Sequence, residues 1–92
     1  MLSIIQAQYM RDYKLELQFS DGKRGVADLQ NLVQSFKPFL PLQNKNLFKE
    51  FEVDYTVCWS DELDIAPEYL YYMAFKDDET LKPLFEEWGY AA

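Results

Sequence analysis

Four carboxylates stand within eight positions, at Asp61, Glu62, Asp64 and Glu68, the densest set of chemistry-bearing side chains beside an ordered motif in this sequence. Oxygen ligands of this kind hold hard cations, and paired carboxylates can act as acid and base. A calcium loop also needs a glycine at its sharp turn, and this stretch has none. The simpler reading is a turn that leads into a helix. Asp64 offers the Ala66 N–H a partial cap, Pro67 fits a first helical turn where no N–H is needed, and Glu68 complements the helix dipole. Asp77, Asp78 and Glu79 form a second acidic run, read as a solvated turn. Cys58 is a lone thiol with no histidine in the chain to activate it and no basic neighbour in sequence, so it is expected to be inert inside a strand. The lack of histidine also removes the commonest transition-metal ligand. Gly22 and Gly25 do not form a phosphate loop, because no glycine-rich run leads into a helix bearing Lys and Ser or Thr. The expectation is a protein that is not an enzyme, with no catalytic, metal or cofactor-binding residues and no cofactor.

Charge divides the 92 residues into unlike halves. Met1 to Lys49 holds seven basic and four acidic residues, a net +3, whereas Glu50 to Ala92 holds two basic and twelve acidic, a net −10. An acidic surface repels phosphate backbones and steers toward cations. With basic residues few and scattered, no direct nucleic-acid contact is expected. No leader opens the chain and no apolar run is long enough for a membrane span, so a cytoplasmic protein without membrane contact is expected. A single cysteine cannot form an internal disulfide, which fits that compartment.

The elements that must position these residues follow from periodicity. Leu2 to Tyr9 reads as a strand. Tyr13, Leu15, Leu17 and Phe19 alternate with Lys14, Glu16 and Gln18, the period of a strand with one buried face. Asp21-Gly22 then makes a hairpin turn into Arg24 to Ala27. Asp28 opens a helix carrying Leu29, Leu32, Val33 and Phe36, which Lys37-Pro38 ends. Phe39 to Leu42 reads as an extended connector, and Asn44 caps a short turn carrying Leu47, Phe48 and Phe51. Phe51 to Trp59 alternates again, as one strand or as two hinged near Asp54-Tyr55. The helix from Pro67 reaches about Phe75. A last one, capped by Thr80, carries Leu81, Leu84, Phe85 and Trp88 and ends at Gly89. The fold class is α+β: an antiparallel sheet of four to five strands (N-terminal strands, the Asp-Gly hairpin, and further strand or strands near 52–59) with short helices near 29–36, 67–75 and 80–88. At this length 1–92 is one domain, with a core over 1–76 and a C-terminal helical extension over 77–92.

The order Phe19-Ser20-Asp21-Gly22-Lys23, Val26-Ala27-Asp28-Leu29, Phe39-Leu40-Pro41-Leu42, Leu47-Phe48, Trp59 and Leu63-Asp64-Ile65-Ala66-Pro67-Glu68-Tyr69-Leu70-Tyr71 resembles the bacterial family catalogued as domain of unknown function 2442. The Asp-Ile-Ala-Pro segment ending in Leu-Tyr is the most specific mark, and the resemblance covers about residues 2–72. Members usually have a longer turn within the stretch 52–59 and often a glycine where this chain has Glu62-Leu63. The resemblance implies a small α+β fold with no established activity. Some members precede a DNA-binding helix-turn-helix domain, and others are encoded beside small toxins, which implies an antitoxin-like role. Leu81 to Trp88 is too short to be a helix-turn-helix, so the DNA-binding role is not carried over.

Sixteen aromatic rings (seven Tyr, seven Phe, two Trp) are many for so small an interior. Those in the last third are expected to leave an apolar face bordered by acid, with Tyr72, Phe75, Phe85 and Trp88 as anchors for a protein partner. The leading functional expectation is a non-enzymatic protein-interaction module, an antitoxin-like or regulatory partner of a small basic protein. The alternatives are a self-associating domain, forming a homodimer through its last helix, and a carboxylate-based divalent-cation binder or enzyme.

Overall fold

The structure is a computed structural model and describes residues 1–60 and 62–91. Ile4–Arg11 (β1), Lys14–Phe19 (β2) and Arg24–Asp28 (β3) form an antiparallel sheet in the order β1-β2-β3. The alternation in β2 becomes two faces: Leu15, Leu17 and Phe19 are fully buried, and Lys14, Glu16 and Gln18 lie on the opposite side. Pairing sets Ala27 and Gly25 beside Leu15 and Leu17 on the core face, and Val26 and Arg24 beside Glu16 and Gln18 on the outer face. The β2–β3 turn has Gly22 at φ 91°, and Asp21 Oδ1 accepts the Lys23 N–H at 2.9 Å. The β1–β2 turn places Asp12 at φ 50°, a left-handed conformation that a short polar side chain tolerates.

β1 pairs with β2 through two irregularities. The register jumps from Ile4–Phe19 to Gln6–Gln18, and again from Tyr9–Leu15 to Arg11–Lys14. Ile5 and Met10 are therefore extra residues in the ladder, and they stand 57% and 48% exposed despite their apolar side chains.

The chain does not build one sheet of four to five strands. Glu52–Val53 (β4), Val57–Ser60 (β5) and Leu63–Asp64 (β6) form a second three-stranded antiparallel sheet. The hinge expected near Asp54-Tyr55 separates β4 from β5, and these strands are too short to extend the first sheet. The Ile4 N–H donating to Tyr55 O at 2.8 Å ties the two sheets. Thr56, buried between them, donates its hydroxyl to Ile65 O, so no buried polar side-chain atom among the described residues lacks a partner.

Gln30–Ser35 (α1) begins two residues past Asp28, whose Oδ1 accepts the Gln30 N–H at 3.0 Å. Lys37–Gln43 is a 3-10 helix rather than an extended connector. Its three-residue repeat puts Phe39 and Leu42 on one buried side. Asn44 caps Lys45–Phe48 (α2) by accepting the Asn46 N–H. Pro67–Phe75 (α3) crosses the core face at β3. Near the C-terminus Asp78, not Thr80, is the cap, accepting both the Thr80 N–H and hydroxyl; a 3-10 turn, Glu79–Leu81, then leads into Lys82–Trp88 (α4). Gly89 at φ 86° ends α4, and Tyr90 and Ala91 donate their N–H groups back to Phe85 O. That reversal lays Tyr90 on Tyr72, the rings stacked with centroids 5.2 Å apart.

Two contacts between α3 and the first hairpin are testable. A Cβ on Gly25 would stand 2.8 Å from the Phe75 ring and 3.0 Å from Ala74 Cβ. Gly25→Ala is expected to destabilise the fold by about 1–3 kcal/mol, read as a lowered urea midpoint. Tyr71 donates to Asp21 Oδ2 at 2.8 Å, and burial first, then that bond, then the charges of Asp21 and Asp78 push its phenol up to about 12. The neutral phenol is thus favoured in the folded state over the unfolded one, which titrates near pH ~10. Its contribution is intact below that pH and is lost as pH rises toward about 12. Between these limits the native protein is expected to lose stability more steeply than Tyr71→Phe, and equal slopes in alkaline urea titrations would refute the assignment.

Candidate functional site

The rings of the last third turn inward. Phe85 is 1% exposed, and Tyr72, Phe75 and Trp88 are partly buried against the core. Tyr71 meets Phe19, Phe75, Phe85 and Trp88 at centroid separations of 4.9, 4.9, 6.3 and 5.9 Å. Of the four expected anchors, Tyr72, Phe85 and Trp88 meet between α3 and α4, whereas Phe75 packs on Phe19 and Gly25 of the first sheet. A second aromatic cluster centres on Phe48, which takes Tyr9, Tyr13 and Trp59 at 6.1, 5.3 and 5.7 Å and accepts the Trp59 indole N–H at its carbonyl.

Asp61 lies outside the described residues, and no group of three or more metal-ligating side chains converges among the described ones. Asp64 pairs with Cys58 across β5 and β6. Burial, followed by the charges of Glu52, Asp54 and Asp64, pushes the Cys58 thiol up, which favours the un-nucleophilic form. No helix among the described residues is long and apolar enough to cross a membrane.

The apolar surface that remains open lies elsewhere. α1 stops at Ser35, and Phe36 takes an extended conformation, φ −97° and ψ 114°, before the 3-10 helix begins. That break turns the Phe36 ring outward, where it is 55% exposed and touches Phe39 with centroids 5.9 Å apart. On the facing side, β6 runs into α3 through Ile65 and Ala66. Ile65 is pinned by its N–H to Val57 O at 3.2 Å and by Thr56 on its carbonyl. Pro67 starts the helix, and one turn on, Tyr69 faces the same gap. Between these walls lies a cleft of about 280 Å³ with a predominantly apolar lining from Leu32, Phe36, Phe39, Ile65, Ala66 and Tyr69. Asp64 is its carboxylate, and no Lys or Arg lines it. Burial, then neighbouring Tyr72 and Tyr90, push the Tyr69 phenol up, so it stays neutral and able to donate. The helical spacing of Leu29, Leu32, Val33 and Phe36 places Phe36 on a buried stripe, whereas α1 ends one residue before it, at Ser35.

A different surface covers the outer side of the first sheet. Register aligns Gln6, Gln18 and Arg24 in one row and Gln8, Glu16 and Val26 in the next, and Arg24 donates to Gln18 Oε1 at 3.1 Å. This face is polar, with a small hollow of about 30 Å³ among Gln6, Gln18 and Arg24 and a broader one of about 470 Å³ bordered by Gln8, Arg11 and Glu16.

No curated protein sequence matches the chain. Among solved structures, it is similar to a protein from Nitrosomonas europaea that is provisionally named as DNA binding. The TM-score is 0.73 at 14% identity, and the similarity covers all of this chain and 63% of that one. The fold is thus shared with a longer protein, of which this chain spans under two thirds. The expectation of no direct nucleic-acid partner is corrected by this finding. It rested on the net charge of the acidic half and on the scatter of the basic residues along the sequence, neither of which describes the separate, less acidic sheet face. A family model matches residues 4–76, and the chain belongs to the family described as protein of unknown function DUF2442.

Proposed function

We propose that this chain is a non-enzymatic interaction module whose working surface is the cleft between α1, the 3-10 helix that follows it, and the β6–α3 junction. The observation that carries the reading is the Phe36 ring, 55% exposed at the edge of an apolar hollow that it helps to line. Open apolar surface is costly in water, and a preformed pocket beside an exposed aromatic is the usual setting of an interface anchor. The side chain is exposed, so Phe36→Ala is expected to leave the melting temperature nearly unchanged while weakening partner binding about tenfold or more. Affinity capture from the native host with the wild type and this variant side by side checks it. Identical captured proteins from both, or none from either, sink the reading.

A second reading has its own observation. Gln and Arg are side chains that make two-point contacts with adenine and guanine, and antiparallel strands enter the major groove in some DNA-binding folds. The Gln6–Gln18–Arg24 row offers such groups on an uncovered sheet face, and the similar protein from Nitrosomonas europaea is named for DNA binding. Glu16 in the adjoining row and the net charge of −7 oppose it. Under this reading a labelled duplex at low salt gains polarisation with the wild type and not with Arg24→Ala; no gain with the wild type removes it.

A further inference from the structure

We infer that the occupant of the Phe36 cleft is a cationic amphipathic segment of another protein, with a bulky apolar side chain seated in the hollow and a Lys or Arg beside it reaching Asp64. This inference rests on the reading that the cleft is the working surface.

Size favours a side chain over a small-molecule ligand. At about 280 Å³ the cleft is just below the range of roughly 300–1,000 Å³ in which ligand sites enclose a drug-sized molecule, yet it has room for one or two apolar side chains. Shape agrees: the walls are a helix end on one side and a strand-to-helix junction on the other, open along one side to solvent. An amphipathic helix laid across such a groove inserts residues from one face and keeps its charges at the rim.

Charge selects the sign at that rim. Asp64 is exposed, and the ion pair present among the described residues, Lys45 with Asp12, lies elsewhere. No basic side chain lines the cleft, and residues 50–92 carry a net −10. A cationic segment is drawn toward this surface and gains a charge-assisted contact on arrival, whereas an anionic one is repelled. The same field disfavours a phosphate backbone at this place.

Four helical peptides of equal length test it with the full chain. Three share one leucine face and carry lysine, glutamine or glutamate on the other; the fourth keeps the lysines and has serine in place of the leucines. Binding is followed by amide shifts in 15N-labelled protein. The lysine–leucine peptide is expected to move resonances of residues 32–39 and 64–69 and to bind at least tenfold more tightly than the glutamate peptide. Asp64→Asn should reduce that preference several-fold and flatten its salt dependence, and Phe36→Ala should weaken all leucine peptides alike. If the three leucine peptides bind the cleft equally, the cationic occupant is refuted and the cleft reading survives. If none moves the cleft resonances, both fail. If the lysine–serine peptide does as well as the lysine–leucine one, binding is general charge attraction and the inference falls.

Discussion

Leu15, Leu17 and Phe19 project from the central strand of the first sheet, fully buried, and the layers of the protein are arranged around them. Phe19 takes the edge of Tyr71 and the tilted ring of Phe75, so one side chain couples the hairpin to α3. The close approach depends on Gly25, beside Leu17 in the ladder, where the lack of a Cβ lets Phe75 and Ala74 reach the sheet. Fully burying such a side chain stabilises a fold by roughly 1.5–3 kcal/mol each, and three in a row on one strand fix the register, since a slip by one residue would turn all of them to water.

Most of the remaining rings gather in two assemblies. One surrounds Phe48 and draws β1, α2 and β5 together; the other surrounds Tyr71 and binds α4 to α3. Edge-to-face geometry recurs in both, which lets many rings share a small volume with their positive edges against negative faces. α4, only seven residues long and without acidic residues in its first turn, is held by this packing more than by its own propensity. The acidic second half thus has an apolar interior, and its β6–α3 junction joins α1 and the 3-10 helix of the first half in lining the cleft.

Elements with strong local periodicity were legible in the sequence. The alternation in β2, the Asp-Gly turn and the Pro67 helix start each have a local cause, and each appears where that cause places it. The second sheet was not legible as a separate unit, because its strands of two to four residues have too few alternations to declare a face. The 3-10 helix was hidden by its two prolines, which suit an extended connector equally well. The cleft escaped for a related reason. Whether Phe36 is buried or exposed depends on whether α1 ends at Ser35 or one residue later, and no pattern of apolar residues sets a helix end so finely.

The two extra residues in β1 bear on how the molecule meets its own copies. An outermost strand with evenly spaced amides is a template onto which another chain can zip. Here Ile5 and Met10 throw the donors and acceptors out of step at both ends of β1, so a straight incoming strand finds only a short matching stretch between them. The greasy side chains displayed at those positions are thereby uncoupled from the backbone groups that would make them adhesive, and the domain can carry bare isoleucine and methionine on its border without inviting fibrils.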